Sequence, residues 1–132
     1  MKLADREQEL VARYAIIMDR HERLNAIVSH RAADSEIPNG QRRDEWLVKG
    51  CASNVWLHVQ NKSRRLHISY GADSQLVRGL VALLVELFQD AELDEARDLS
   101  PKILELLELD QMLSSTRLHG LQCVIKKLRH VD

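Results

Sequence analysis

Apolar side chains from Leu10 to Val28 recur at the spacing of one helix face. Asp5 followed by Gln8 resembles a capping box, in which two side chains satisfy the first free backbone N–H groups of a helix. The pattern predicts helical structure over residues 5–29, with a break near Arg20–His21.

The next stretch, residues 31–45, is polar and contains the turn signal Pro38-Asn39-Gly40. We expect a long surface loop there, since such a segment offers few apolar side chains to bury. Residues 46–48, Trp-Leu-Val, then predict a short strand.

Residues 54–70 alternate between apolar and polar with a period of two, which is typical of strands with one buried face. Pairing residue 57 with 68 and residue 59 with 66 places the apolar side chains on the same side of a hairpin. This register needs a short turn around Lys62–Ser63. The hairpin and residues 46–48 together predict a small three-stranded antiparallel sheet.

From residue 73 onward the apolar spacing is helical again. Asp73 is a candidate cap for the first of these helices, Ser100–Pro101 for a short second one, and Ser114 or Ser115 for the last. Because the strands are separated from the helices along the chain, we predict an α+β fold with helices covering one face of the sheet. We expect a single domain over residues 1–132.

Composition narrows the range of functions. The apolar fraction is 45% and the net charge is −1, which predicts a packed core and disfavours a general nucleic-acid or anionic-membrane surface. The first ten residues carry no apolar signal core, and no apolar run approaches the length that spans a bilayer. We therefore expect a cytoplasmic protein, in which two cysteines form no structural disulfide.

One cysteine occupies an unusual position. Cys51 follows Gly50 in the segment Val-Lys-Gly-Cys-Ala-Ser-Asn-Val-Trp, between the first predicted strand and the hairpin. A turn can present a thiol to a partner, and Lys49 would favour the reactive thiolate. Alternatively, Cys51 is only a small residue that tolerates a tight turn, and local chemistry leaves both interpretations open.

The remaining cysteine, the histidines and the glycines give weaker indications of function. Cys123 flanks the apolar stripe of the last helix, and we interpret it as a packing residue. His58 and His67 become cross-strand partners in the register above, and we interpret them as a solvated pair, so no metal site is predicted.

A Cys–His hydrolase would need a base beside Cys51, and neither His21 nor His119 can be placed there from the sequence. The required spacing for a glycine-rich phosphate loop is also missing.

Three separated segments resemble the SufE/CsdE family of sulfur-acceptor proteins. Residues 48–56 are similar to that family's Gly-Cys-x-Ser-x-Val-Trp block, and residues 71–80 to a stretch ending in Ile-Val-(Lys/Arg)-Gly-Leu. Residues 113–121, Leu-Ser-Ser-Thr-Arg-Leu-His-Gly-Leu, are similar to Leu-Ser-x-Ser-Arg-x-x-Gly-Leu. The blocks follow the family's order. The sequence departs from the family at Ala52, where the family often has Gln or Glu, and in the segment after the first helix.

This resemblance implies a non-enzymatic role in sulfur transfer. Cys51 would accept a persulfide sulfur from a pyridoxal-phosphate cysteine desulfurase of the SufS or CsdA type, stimulate that enzyme, and deliver the sulfur for iron–sulfur cluster assembly. Gly50 would act as the hinge of the cysteine segment, and Asp73 and Arg117 would support it and the partner surface. The resemblance implies no cofactor on this chain, a scaffold complex as a further partner, and a monomer or weak homodimer.

Two other functions stay open at this point. The first is a protein-interaction module of the same fold, in which Cys51 is structural, Asp73 is a plain helix cap and Arg117 is a surface charge. The second is the Cys–His hydrolase.

Overall fold

The computed structural model describes residues 1–132, apart from the side chain of Ala33. Its elements are segregated along the chain, with two helices, a hairpin and then four helices, so the α+β prediction is confirmed. In chain order they are α1 (Leu3–Ala15), α2 (Arg20–Val28), β1 (Val55–Lys62), β2 (Arg65–Ala72), α3 (Gln75–Phe88), α4 (Leu93–Asp98), α5 (Ile103–Leu106) and α6 (Ser115–Arg129).

The hairpin has the predicted faces but a different register. Leu57 pairs with Tyr70 and Val59 with Ile68, because the turn lies one residue later, at Ser63 and Arg64. Both turn residues have positive φ, 54° and 64°, which matches the twist of a tight hairpin. The pairing moved by two residues, and an even shift keeps every side chain on its own face.

The Asn61 side chain helps to fix this turn, since its Oδ1 accepts a hydrogen bond of 2.9 Å from the Arg64 N–H.

The observed register also corrects the predicted pairing of the two histidines. His58 lies opposite Ser69, and His67 lies opposite Gln60, so the two histidines are not cross-strand partners.

The predicted third strand is wrong. Residues 44–46 form a 3₁₀ turn, and only Leu47 makes an isolated bridge to Trp56 on β1. The chain crosses the outer face of the hairpin here, and the Trp46 ring stacks on His58 with centroids 4.3 Å apart. The sheet of the described chain is therefore two-stranded.

Residues 31–45 are not a long unattached loop. They contain short 3₁₀ turns, and Ile37 N–H donates to the Tyr70 carbonyl oxygen at 2.6 Å. The Tyr70 hydroxyl in turn accepts from the Ala32 N–H at 3.1 Å. The segment is held against β2 by these bonds.

Several helix starts use partners that are distant in sequence. α1 begins at Leu3, whose N–H donates to Glu95 at 2.9 Å, so the predicted Asp5–Gln8 capping box is wrong. α5 begins at Ile103 and is capped by Glu7 Oε2, which accepts from the N–H groups of Lys102 and Ile103 at 2.7 and 3.1 Å, and not by Ser100.

Two other starts are local. α2 begins after Asp19, which accepts from the N–H groups of His21 and Glu22. α6 begins after Ser114, whose hydroxyl accepts from the Arg117 N–H at 3.2 Å, as predicted.

The core is built around α3, which is buried along almost its whole length. It packs on β2 and also contacts α1, α2 and α6. Thus the hairpin and α6 lie against the same central helix, and the segment before β1 is brought next to α6. None of the helices in the described residues is long and apolar enough to cross a membrane.

Candidate functional site

The segment of residues 49–54, here called the cysteine loop, is anchored at both ends. Before it, Val48 N–H donates to the Val55 carbonyl oxygen at 2.8 Å. At its far end, Asp73 N–H donates to the Asn54 carbonyl oxygen at 3.2 Å. Between these bonds the loop leaves the hairpin and packs on α6.

Gly50 is required by this packing. Its φ is +96°, a backbone conformation that side chains other than glycine rarely adopt. A Cβ at this position would lie 2.8 Å from Cys123 Sγ and 3.3 Å from His119 Nε2. The loop therefore approaches α6 as closely as a residue without a side chain allows.

Cys51 is half-buried on the same surface of α6. Its Sγ lies 3.6 Å from the Gly120 carbonyl oxygen, to which the thiol donates a long hydrogen bond. A Cβ on Gly120 would lie 3.2 Å from Cys51 Sγ and 3.3 Å from its Cα. We call this packing of the cysteine loop on α6 the closed arrangement.

Burial raises the pKa of the Cys51 thiol, and the neighbouring Cys123 raises it further. This corrects the expectation that Lys49 favours the thiolate, because the Lys49 side chain is exposed and desolvation dominates. In the closed arrangement, desolvation therefore favours the neutral thiol of Cys51 over the thiolate.

Beside Cys51 lies a small, mostly apolar cavity of about 20 Å³, enough for roughly one water-sized group. Its apolar lining comes from β1, α3 and α6, through Val55, Val77, Leu80, Val81, Leu121 and Val124.

Arg117 also lines this cavity. Its Nη1 is buried and has no hydrogen-bond partner among the described residues. Because a buried donor gains most from a charged acceptor, Arg117 is the lining residue best suited to bind an anion.

Asp73 does not cap α3. The cap is Ser74, whose hydroxyl accepts from the Val77 N–H at 3.4 Å, while the Asp73 side chain is exposed. Through its N–H, Asp73 holds the end of the cysteine loop, and its carboxylate lies at the surface next to that loop.

Sequence reasoning considered His119 and Cys123 separately and missed that they contact each other. Cys123 Sγ lies 3.7 Å from His119 Nε2, within hydrogen-bond reach for sulfur, which the interpretation of Cys123 as a packing residue does not include. Both side chains face the cysteine loop at Gly50. The signal was their four-residue spacing, which places two side chains on the same face of a helix.

The geometry does not favour a Cys–His hydrolase. Among the described residues, the hydrogen-bond partner of Cys51 Sγ is the Gly120 carbonyl, and His119 contacts Cys123 instead. His21 lies at the exposed start of α2. A nucleophile of that class needs a base at hydrogen-bond distance and a lowered pKa, whereas that of Cys51 is raised.

Comparisons with known proteins agree with this architecture. A solution structure of a hypothetical protein from Thermus thermophilus matches with a TM-score of 0.74 and 14% identity, covering 94% of this chain and 90% of that one. An uncharacterized SufE-like protein of Rhizobium etli is 29% identical over 126 residues, covering 92% of this chain and 85% of that protein. A second from Rhizobium meliloti is 26% identical, covering 92% and 90%.

The model of the SufE family, described as an Fe-S metabolism associated domain, matches residues 8–131. That match spans nearly the whole chain, including the cysteine loop, the hairpin and α6. The chain therefore belongs to the SufE family.

Proposed function

We propose that this protein accepts sulfur from a pyridoxal-phosphate cysteine desulfurase, carries it as a persulfide on Cys51, and delivers it for iron–sulfur cluster assembly. One observation supports this most: the cysteine of a SufE-family chain sits half-buried in a loop that is anchored at both ends and packed on α6. Gly50, at a φ of +96°, allows this close packing at the residue just before the cysteine.

In the transfer step, the Cys51 thiolate attacks the outer sulfur of the persulfide on the desulfurase. A new S–S bond forms on Cys51, the S–S bond on the desulfurase breaks, and the cysteine thiolate of the desulfurase leaves. Atoms and electrons balance without a further oxidant. The protein is thus a carrier and an activator of the desulfurase, and has no catalytic turnover of its own.

The closed arrangement suits the resting state of such a carrier. Burial raises the pKa of Cys51, which limits reaction with oxidants and other thiols in solution. When the loop leaves α6, the thiol loses that desolvation and can enter the active site of a partner. Gly50 supplies the hinge, and Asp73 and Arg117 flank the exit of the loop.

Arg117 has a specific role in this proposal. A persulfide is more acidic than a thiol and carries negative charge near neutral pH. The buried, unpartnered Nη1 of Arg117 beside Cys51 offers that charge a donor. The cavity next to Cys51 has room for one additional atom of the size of sulfur.

The test uses a cysteine desulfurase, free cysteine and intact mass measurement. The wild type is expected to gain the mass of at least one sulfur atom, and the Cys51→Ala variant none. Ser29→Ala, a matched removal of one side-chain heteroatom from the exposed end of α2, is expected to gain sulfur as the wild type does. No gain on the wild type contradicts the carrier function, and full stimulation of the desulfurase by Cys51→Ala supports an interaction module instead.

The Arg117 role is tested by the rate of loading. Arg117→Gln is expected to slow the gain of sulfur roughly tenfold, the effect of losing one charge-assisted hydrogen bond. Lys126→Gln removes the same charge from an exposed position of α6 and is expected to leave the rate unchanged. Equal rates for both variants contradict the role of Arg117.

A cytoplasmic location and a SufS- or CsdA-like partner belong to the same proposal.

A further inference from the structure

Two thiols and an imidazole meet where the cysteine loop crosses α6. Cys51 is in the loop, and Cys123 lies under the preceding residue, with its Sγ 2.8 Å from the point where a Cβ on Gly50 would be. His119 Nε2 lies 3.7 Å from Cys123 Sγ and 3.3 Å from the same point. The proposed carrier function uses only the first of these three groups.

The two thiols differ in their surroundings. Cys51 lies beside the apolar cavity and donates to the Gly120 carbonyl in a partly buried contact. Cys123 is not part of the cavity lining, and its contact with His119 is exposed to solvent. A sulfur atom on Cys123 would therefore be more accessible to a downstream acceptor than one held in the cavity.

We propose that Cys123 is a second sulfur-carrying site, which receives the outer sulfur from the Cys51 persulfide with His119 as the proton acceptor. This inference rests on the proposed function, because Cys51 must first be loaded. It assigns His119 and Cys123 to the outgoing half of the transfer, whereas Cys51 and Arg117 serve the incoming half.

The step balances within the chain. His119 Nε2 takes the proton of the Cys123 thiol, and the resulting thiolate attacks the outer sulfur of the persulfide. The S–S bond on Cys51 breaks while one forms on Cys123, and the leaving Cys51 thiolate takes up the proton. No oxidant or reductant is needed, and the sulfane sulfur keeps its oxidation state.

Two features favour this step over a disulfide between the cysteines. A disulfide requires attack on the inner sulfur, which is Cys51 Sγ, and that atom is packed against Gly120. The outer sulfur would extend beyond Cys51 Sγ, and Cys51 is joined directly to Gly50, under which Cys123 lies. In addition, burial raises the pKa of Cys51, so the thiol that it regains after transfer is its stable form.

The experiment locates the sulfur over time. The protein is loaded with desulfurase and cysteine, freed from the desulfurase, alkylated at intervals and digested with trypsin. Cleavage after Lys49 and Arg117 places Cys51 in peptide 50–62 and Cys123 in peptide 118–126. We expect the additional sulfur first on peptide 50–62 and later on peptide 118–126, and none on Cys123 in the Cys51→Ser variant.

The proton acceptor is tested separately. His119→Gln is expected to slow the movement from Cys51 to Cys123 by roughly a hundredfold, within the usual range for a general base. It should leave the initial loading of Cys51 unaltered, which a merely unfolded variant would not do. His21→Gln, an exposed histidine on α2, serves as the matched control and is expected to transfer at the wild-type rate.

Failure of this inference is distinct from failure of the carrier function. Sulfur that stays on Cys51 overturns the second site and leaves the carrier intact. A Cys51–Cys123 disulfide formed with release of sulfide overturns it too, as does direct loading of Cys123 in the Cys51→Ser variant. If the wild type never gains sulfur on Cys51, the carrier function itself is wrong.

Discussion

Replacing Gly120 by alanine adds a methyl group directly beneath Cys51. The new Cβ would lie 3.2 Å from Cys51 Sγ and 3.3 Å from its Cα, closer than the roughly 3.5–4.0 Å of relaxed contacts. Overpacking of this kind costs about 1–3 kcal/mol, and a loop at the surface relaxes enough to give the lower value, about 1 kcal/mol. Because 1.4 kcal/mol is a factor of ten, the open population of the cysteine loop should rise about fivefold.

The assay is the rate of Cys51 alkylation at fixed pH, read from peptide 50–62 after digestion. We expect Gly120→Ala to react about fivefold faster than the wild type, because only the open loop presents an accessible thiolate. The variant should also be at least as resistant to unfolding, since alanine is favoured over glycine within a helix by about 1 kcal/mol.

Gln122→Ala, at an exposed position of the same helix, is the control and should react at the wild-type rate. Equal or slower alkylation of Gly120→Ala would refute the closed arrangement as the state that limits Cys51 reactivity.

Two further predictions concern stability. Gly79→Ala should lower the free energy of unfolding by about 1–3 kcal/mol in denaturant melts, since its Cβ would lie 2.6 Å from the Val28 backbone. A Cβ at Gly40 has nothing within 4 Å, so Gly40→Ala should leave the free energy of unfolding nearly unchanged. Burial lowers the pKa of His30 despite Glu86, so the unfolded chain binds the proton more readily than the folded one. The free energy of unfolding should therefore fall as the pH drops below about 6.5, and His30→Gln should remove that part of the slope. An unchanged slope would contradict this assignment.

The local patterns of the sequence were sufficient to predict the hairpin and the α+β order of the elements. Period-two alternation identified the hairpin and its buried face, because any register shift by two residues preserves the alternation. The exact register depended on the turn, where Asn61 captures the Arg64 N–H, and this bond is not visible in the apolar pattern.

Contacts between distant segments could not be predicted in the same way. Glu7 caps α5 across 95 residues of chain, so the nearby Ser100 is not needed as a cap. The residues that fold over the outer face of the hairpin, such as Trp46, have a strand-like sequence. The stacking of Trp46 on the His58 ring is a contact that a strand prediction does not include.

In the candidate site, too, some residues could be identified from the local sequence and others only from contacts between distant segments. Cys51 and Gly50 were identified from one short segment and the family resemblance. Their neighbours on α6 were not, because the contact of Cys51 with Gly120 spans 69 residues. Only the packing of both the hairpin and α6 on α3 brings His119 and Cys123 under the loop.

The closed arrangement is held by weak forces, and this matters for its proposed use. Cys51 contributes one long hydrogen bond and a half-buried side chain, which together stabilise closure by about 1–2 kcal/mol. The Val48–Val55 bond lies outside the cysteine loop and the Asp73–Asn54 bond holds its last residue, so residues 49–53 can open while the hairpin stays folded. A partner interface of ordinary size can supply that small free energy many times over. In the proposed function, little free energy is therefore needed to expose Cys51 to a partner, while the closed loop keeps the thiol half-buried and raises its pKa.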